Sequence, residues 1–439
     1  MQSPSNSTTT GATLLAASLP DSRVFGLSGT AFAKVLAVFV VLAYWMLAAM
    51  LHPAGLEGDE QRYYDDAVNL TKGYFVADDH PRIFNGPGYP FFLYPFVKLG
   101  APLTIIRFTG AVMIGLSAWF LFLAGRRLMP EPWAIAVAAF CSFHPNLLRQ
   151  GHMLMTEPMT QVLLAIYLWC LIVAVQTEKR WWWWAAGAAV SIWMLTMTRV
   201  FMGHVITVMV IGSAILAIFK SLRSAARRTF VVMLGALFLC APYLRFTYNK
   251  TGSYFLWSTS AGELLYWLTS HEGGENGHWY HESEVFGRPE LAVRHADFFR
   301  SIADLGPLEK EAKFKEVAIR RIKESPRDFA RNWVCNVTRL FYGFPRSLER
   351  EKITTFPLFV FNTALLGGVL LGLALTWLRK ENPPAILWVL LLMAAFYTGG
   401  STLAPALPRY FLGIVPVVAI AAASLLARVP WRRLWAPAH

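Results

Sequence analysis

Leu56-Glu57-Gly58-Asp59-Glu60-Gln61-Arg62-Tyr63-Tyr64-Asp65-Asp66 stands directly behind the first long apolar segment, Ala31 to Leu51. That segment is long enough to cross a bilayer, so the carboxylates lie where the chain has just left it. Charge at such a boundary is costly unless water or a ligand meets it, and clusters of this kind mark sites. A plainer reading is also open. Asp59 can N-cap a short helix that begins at Glu60 and places Tyr63, Ala67 and Leu70 on one apolar face. The two readings are compatible, because backbone N–H groups at a helix start keep a carboxylate ionised, as a base or a cation ligand requires.

Apolar residues make up 55% of the 439-residue chain and charged residues 15%, less charge than a soluble domain carries. The apolar residues come in blocks, which predicts an all-α polytopic membrane protein with about ten transmembrane helices and two large extracytoplasmic loops. The spans are read at about 31–51, 103–124, 132–147, 157–175, 181–198, 200–219, 229–246, 355–378, 385–400 and 409–427. Residues 1–30 are polar and Ser/Thr-rich, with no signal-peptide core. Cys141, Cys170 and Cys240 fall in apolar blocks and Cys335 stands alone in a loop. No disulfide framework or CxxC metal site follows from that spacing.

The net charge of +13 would admit a nucleic-acid partner, but the basic residues are placed as topology signals. Arg126-Arg127, Lys179-Arg180, Lys220 with Arg223, Arg227 and Arg228, Arg379-Lys380, and Arg428, Arg432 and Arg433 fall at alternate connections. The positive-inside rule puts them in the cytoplasm with both tails, 1–30 and 428–439. No nucleic acid is expected. The first outer loop, 52–102, then carries Glu57, Asp59, Glu60, Asp65, Asp66, Asp78 and Asp79. It continues into the turn His80-Pro81-Arg82-Ile83-Phe84-Asn85-Gly86-Pro87-Gly88-Tyr89-Pro90. A second outer region, 247–354, separates the N-terminal module, 31–246, from the C-terminal helices, 355–427. Within it a helix is predicted over about 307–324, and another from Ser325-Pro326 with an interfacial face of Phe329, Trp333, Val337, Leu340 and Phe341.

The other outer-face polar residues are few: His144, Arg149, His152 and Glu157, then Arg199, Arg245 and Arg409-Tyr410. Ionisable residues within apolar runs are functional or mutually paired. The planar fork of arginine suits phosphate. Acids of the first loop, Glu157 and the arginines can therefore surround one outward cavity for an anionic, lipid-attached ligand. The alternative is salt bridging between helices, such as Glu157 with Arg199. His271, His278 and His281 with Glu272, Glu275 and Glu282 match no zinc spacing and read as a solvated, Gly-rich loop. Trp181 to Trp184 beside Lys179-Arg180 is an interfacial aromatic belt.

Together these pieces resemble the GT-C class of membrane glycosyltransferases, in particular the bacterial branch related to protein O-mannosyltransferases and lipid A aminoarabinose transferases. The resemblance rests on Asp59-Glu60-x-Arg62-Tyr63-x-x-x-Ala67, Gly86-Pro87-Gly88-Tyr89-Pro90, Met155-Thr156-Glu157, Thr198-Arg199 and Pro408-Arg409-Tyr410. The run Pro242 to Leu264 adds to it. The lipid A branch has Lys-Pro-Pro where this chain has Asn85-Gly86-Pro87, so its substrate does not carry over. The resemblance implies a catalytic role for Asp59, Glu60 and Glu157, with Asp59 as the base. It implies substrate contacts from Arg62, Tyr63, Arg82, Tyr89, Arg199, Arg409 and Tyr410.

Nucleotide sugars are cytoplasmic and the acidic site faces outward. A sugar used there must arrive on a carrier, and a polyprenyl phosphate is such a carrier. The expectation is an inverting glycosyltransferase, hexosyl or pentosyl, in a bacterial plasma membrane with its site on the periplasmic or outer side. It would take a polyprenyl-phosphate-sugar donor and a glycan, lipid or protein acceptor. No cofactor is implied beyond the option of a divalent cation between the acids. A transporter or flippase of a lipid-linked sugar is the rival. Such a protein would place charges near the bilayer midplane, whereas here they gather at the outer face.

Overall fold

The computed structural model describes residues 23–24, 26–51, 55–77, 82–349, 351 and 353–430. Of the tails expected at 1–30 and 428–439, residues 1–22 and 431–439, with Arg432 and Arg433, lie outside the described residues, as do Asp78, Asp79, His80 and Pro81. Among the described residues the chain is helical apart from the short antiparallel pair Arg23–Val24 and Leu27–Ser28.

Gly29–Met50, Leu103–Gly125, Glu157–Gln176 and Phe356–Leu378 are each long and apolar enough to cross a membrane. Arg223–Leu239 and Ala241–Thr251 form a fifth crossing if taken as one span bent by 42°. Pro242, which has no N–H to give, sits at the bend. Glu131–Ser142, Phe201–Leu216, Ala385–Ser401 and Val415–Leu426 are shorter apolar helices, and the tryptophan-rich Trp181–Thr198 joins them. The protein is thus an integral membrane helix bundle in which half of the ten expected spans are short helices.

Two of those spans differ from expectation. The segment expected at 132–147 stops at Ser142. Pro145 starts a separate helix, Pro145–Gln150, capped by His144, whose Nδ1 accepts the Asn146 N–H at 3.3 Å. The segment expected at 409–427 opens as a 3-10 turn, Pro408–Gly413, and becomes α-helical at Val415, where Pro416 suits a first turn.

Glu157–Gln176 is the axis of the bundle. Leu164, Ala165, Tyr167, Leu168, Leu171 and Ile172 are fully buried on it, between Leu103–Gly125 and Trp181–Thr198. Gly29–Met50 and Phe356–Leu378 stand at the rim. They expose Val35, Val38, Phe39, Leu370 and Trp377, apolar area that belongs against lipid. Gly115 lets Leu103–Gly125 approach Gly29–Met50 closely, because a Cβ there would meet the Ala37 carbonyl at 2.9 Å.

The region 247–354 folds on an aromatic core of its own, with Tyr266, Trp267, Tyr280, Phe299 and Phe314 buried together. The helices Pro307–Glu324 and Pro326–Tyr342 fall where the sequence puts them. The second is buried on another side from the face expected at the membrane interface, with Leu340 common to both. Its buried side carries Asn332, Asn336, Arg339 and Leu340. Asn332 Nδ2 donates to the Leu268 and Ser270 carbonyls at 3.0 and 2.7 Å, and Asn336 Nδ2 to the Ala404 carbonyl at 2.8 Å. These bonds dock the helix on protein, and Trp333 remains partly exposed.

The expected solvated loop is corrected at Glu275, whereas His281 and Glu282 are exposed. Glu275 is fully buried, accepting from Ser270 Oγ at 2.6 Å and Arg294 Nη1 at 3.1 Å, with His295 Nε2 at 3.0 Å. A carboxylate with that many partners can be ordered inside a Gly-rich turn.

Candidate functional site

The acidic stretch forms the helix Asp59–Thr71, which buries Glu60, Tyr63 and Ala67. Its N-cap is Gly58, at φ +55°, a left-handed conformation open to glycine at little cost. Asp59 is therefore the first helical residue and its side chain makes no cap bond, contrary to the expected capping role. The side chain turns instead to two arginines. Oδ1 accepts from Arg62 Nη2 at 2.7 Å, and Oδ2 is paired with Arg409. Burial raises the Asp59 pKa, but the guanidiniums of Arg409, Arg62 and Arg199 outweigh it and hold the carboxyl below its ordinary value.

Glu60 is held elsewhere. It is fully buried, and its Oε1 accepts from Arg107 Nη2 at 3.2 Å and from the Leu154 N–H at 2.6 Å. Oε2 accepts the Glu57 N–H at 3.3 Å. Arg107 Nη2 also reaches the Gly55 carbonyl at 3.0 Å. This pair ties the first loop to Leu103–Gly125 and to the turn at Leu154. Of the three carboxylates expected to be catalytic, Glu60 is fully buried and tied by Oε1 to the buried Arg107 and the Leu154 N–H.

Glu157 opens the axial helix and is buried, with Oε1 accepting from Arg199 Nη2 at 2.7 Å. Arg199 follows the last turn of Trp181–Thr198, and its Nε donates to Thr160 Oγ1 at 3.0 Å. The expected alternative, a Glu157–Arg199 bridge between helices, is thus present. Glu157 Oε2 has no hydrogen-bond partner among the described residues. Asp59, Glu157, Arg62, Arg199 and Arg409 form one charged array, built from the first loop and three helix ends.

Tyr63 and Tyr89 are buried beside it, edge to face at 5.3 Å between ring centres. Burial, then the charges of Asp59 and Glu157, push the Tyr63 phenol up, so it stays a neutral donor. Tyr410 is placed by its carbonyl, which accepts from Tyr397 Oη at 2.7 Å. Arg82 stands exposed at the margin, 3.6 Å from Glu263. The turn that carries it packs on the end of Trp181–Thr198. A Cβ at Gly86 would collide with the Met197 carbonyl, and one at Gly88 would meet Thr198 N at 2.8 Å.

Two cavities flank the array. One, of about 230 Å³, is lined by Arg62, Asp66, Phe84, Asn85, Arg82 and Trp279. The other, of about 400 Å³, lies on the Arg409 side. Sequence reasoning did not single out Asp66 or Asn85 within their stretches, nor Trp279, Arg288, Arg339 and Arg346. These come together only when the outer region folds back on the first loop. Among the described residues no three His, Cys, Asp or Glu gather as metal ligands. Asp59 presents its oxygens to guanidiniums, so the array does not fit the optional divalent cation.

Residues 79–246, less than half of the chain, match the family dolichyl-phosphate-mannose-protein mannosyltransferase. No curated protein matches the chain in sequence. Among solved structures it is similar to ArnT from Cupriavidus metallidurans bound to undecaprenyl phosphate, at 14% identity and a TM-score of 0.48. That match covers 91% of this chain and 60% of the other. It is also similar to the archaeal oligosaccharyltransferase AglB from Archaeoglobus fulgidus in complex with an inhibitory peptide and a dolichol-phosphate. Identity there is 14% and the TM-score 0.47, over 92% of this chain and 52% of the other. The chain thus spans little more than half the length of these two proteins.

Proposed function

We propose that the protein is a membrane glycosyltransferase that moves a sugar from a polyprenyl-phosphate-linked donor to a glycan, lipid or protein acceptor on the extracytoplasmic face. The observation that carries this reading is the array around Asp59: two carboxylates among three arginines, gathered from the first loop and the ends of helices. The family match over residues 79–246 supports a lipid-phosphate donor. The placement of the basic doublets supports an outward site.

The formal charges of Arg62, Arg199 and Arg409 exceed those of Asp59 and Glu157 by one. One phosphodiester charge on the donor balances that excess. As the sugar–phosphate bond breaks, the leaving phosphate gains charge, and preorganised guanidiniums stabilise it without reorganisation. Asp59 accepts the acceptor hydroxyl proton during in-line attack at the anomeric carbon, which inverts the configuration. Its depressed pKa keeps it ionised but a weak base while Arg409 is paired with it. A donor phosphate that draws Arg409 away frees Oδ2 and raises its basicity at the moment it is needed. Glu157 holds Arg199 in place. Glu60 acts through position alone, by fixing the first turn of the helix that presents Asp59.

The reading is tested with purified protein in lipid vesicles, a labelled polyprenyl-phosphate sugar and an extract of envelope glycolipids and glycans. Acceptor-dependent release of polyprenyl phosphate, with the label moved to the extract, is expected. Release no faster than in protein-free vesicles, across hexose- and pentose-bearing donors, would overturn it.

A further inference from the structure

Arg409 rides on a short, irregular piece of chain. Pro408–Gly413 is a 3-10 turn of six residues, longer than such turns usually run, because their hydrogen bonds are poorly aligned. Backbone of that kind does not by itself hold a guanidinium to a fraction of an ångström. Side chains from three other elements donate to alternate carbonyls of the turn. Asn146 Nδ2, on Pro145–Gln150, donates to the Pro408 carbonyl at 2.8 Å. Tyr397 Oη, on Ala385–Ser401, donates to the Tyr410 carbonyl at 2.7 Å. Gln161 Nε2, on the axial helix, donates to the Leu412 carbonyl at 3.1 Å. The chain is thus held one residue before Arg409 and one residue after it.

All three donors are buried. Gln161 Oε1 has no hydrogen-bond partner among the described residues. A buried amide with one unmet oxygen is costly, and an apolar side chain would fill the same place without that cost. What the amide supplies is the bond to Leu412. Gly413 completes the fit, since a Cβ there would collide with Tyr397 Oη. Gln161 also follows Glu157 and Thr160, which hold the Arg199 side chain. The start of the axial helix therefore fixes both arginines, one by its side chain and one by its backbone. Asn146 is braced in turn. His144 Nδ1 accepts its N–H at 3.3 Å, which leaves the proton on Nε2 to be donated to Asn362 Oδ1 at 3.0 Å.

We infer that Asn146, Gln161 and Tyr397 are positioning residues that clamp the turn 408–413 and so hold the Arg409 guanidinium against Asp59. The inference rests on the proposed glycosyl transfer and adds to it three uncharged residues that act through Arg409. Asp59 faces Arg409, Arg62 and Arg199, and of these Arg409 is the one carried by the clamped turn. Slack in the turn withdraws that guanidinium. The Asp59 carboxyl then rises towards its ordinary value, and the donor phosphate loses a preorganised partner. Bonds that served stability alone would do neither.

The test uses the purified full-length protein in nanodiscs with Tyr397→Phe, Gln161→Met and Asn146→Leu, each of which removes a donor and keeps the bulk. Ile420→Val, at a fully buried position of Val415–Leu426, controls for lost stability. The first readout needs no substrate. It is the rate at which phenylglyoxal modifies Arg409, followed by peptide mass spectrometry against Arg300, whose side chain is 66% exposed. Arg409 should react several-fold faster in the three clamp variants and at the wild-type rate in Ile420→Val. The second readout is the pH profile of sugar transfer. Its acid limb should move to higher pH in the clamp variants, with turnover lowered about tenfold in each, and stay in place in Ile420→Val. Arg409 modified at the wild-type rate in all three variants would overturn the clamp, whatever their turnover. Reduced transfer with the acid limb unmoved would overturn it too, because a general loss of stability does the same. Tyr397→Phe removes a single oxygen and decides the outcome if the other two variants do not fold. Absence of transfer by the wild type would count against the proposed function, and the modification rates would still decide the clamp.

Discussion

Asp59 and Glu60 are neighbours in sequence to which the proposed function gives opposite work. Asp59→Asn keeps the helix start, since the side chain makes no cap bond, but cannot accept a proton. Turnover is expected to fall about a hundredfold or more, with a modest loss of stability as Arg62 and Arg409 lose a charged acceptor. Glu60→Gln should do the reverse, because it leaves the buried Arg107 without its counter-charge, at a cost of roughly 3–5 kcal/mol. Parallel measurement of melting temperature and sugar transfer separates the two. Wild-type turnover in Asp59→Asn would remove it as the base. Asp66 offers a pH test. Burial pushes its pKa up to about 6, against the nearby Asn85 amide and the charge of Arg62. The folded protein therefore holds a disfavoured charge above pH 6, and the penalty is relieved as pH falls from 6 towards 4. Asp66→Asn should raise the melting temperature at pH 8 and leave it unchanged near pH 4. An equal effect at both values would show that Asp66 is not strained.

The helix Pro307–Glu324 was legible to its ends, because charged residues on one side and Phe314 and Ala318 on the other set its period. The start of Pro326–Tyr342 was legible from its proline, but its buried face was not. Apolar periodicity selects Phe329 and Trp333, whereas the helix buries asparagines whose carbonyl partners lie more than sixty residues away in sequence. Asp59 was legible as a member of the charged array and misplaced by one position as a cap, since glycine at 58 took that role through its backbone. Arg199 and Arg409 were found as charges in apolar runs. The arginines of the larger cavity sit in ordinary polar surroundings and gave no such signal. The turn 82–90 carries a prediction of its own. Gly88→Ala would press a methyl group on Met197 and Thr198, directly before Arg199. Displacement of that arginine by a fraction of an ångström should lower turnover more than tenfold, with donor affinity reduced less. Unchanged turnover in a folded Gly88→Ala would show that the turn does not position Arg199.

At the scale of the whole molecule, the orientation is open to direct test. Asp65 and Lys313 are exposed in the first loop and in the outer region. Asp65→Cys and Lys313→Cys, in a Cys335→Ser background, should react with an impermeant thiol reagent in intact cells. Reaction only after permeabilisation would place the charged array in the cytoplasm. The bundle and the outer region meet along Pro326–Tyr342. Trp333 Nε1 donates to Thr402 Oγ1 at 3.0 Å, and Asn336 Nδ2 donates to the Ala404 carbonyl. From the other side, Asn146 Nδ2 donates to the Pro408 carbonyl at 2.8 Å. The strand of backbone from 402 to 408 is thus strung between two anchors, and the next residue is Arg409. Its guanidinium is the free end of a lever whose handle is the outer region. Under the proposed function, the way the outer region is seated on the bundle sets how closely that charge lies against the base.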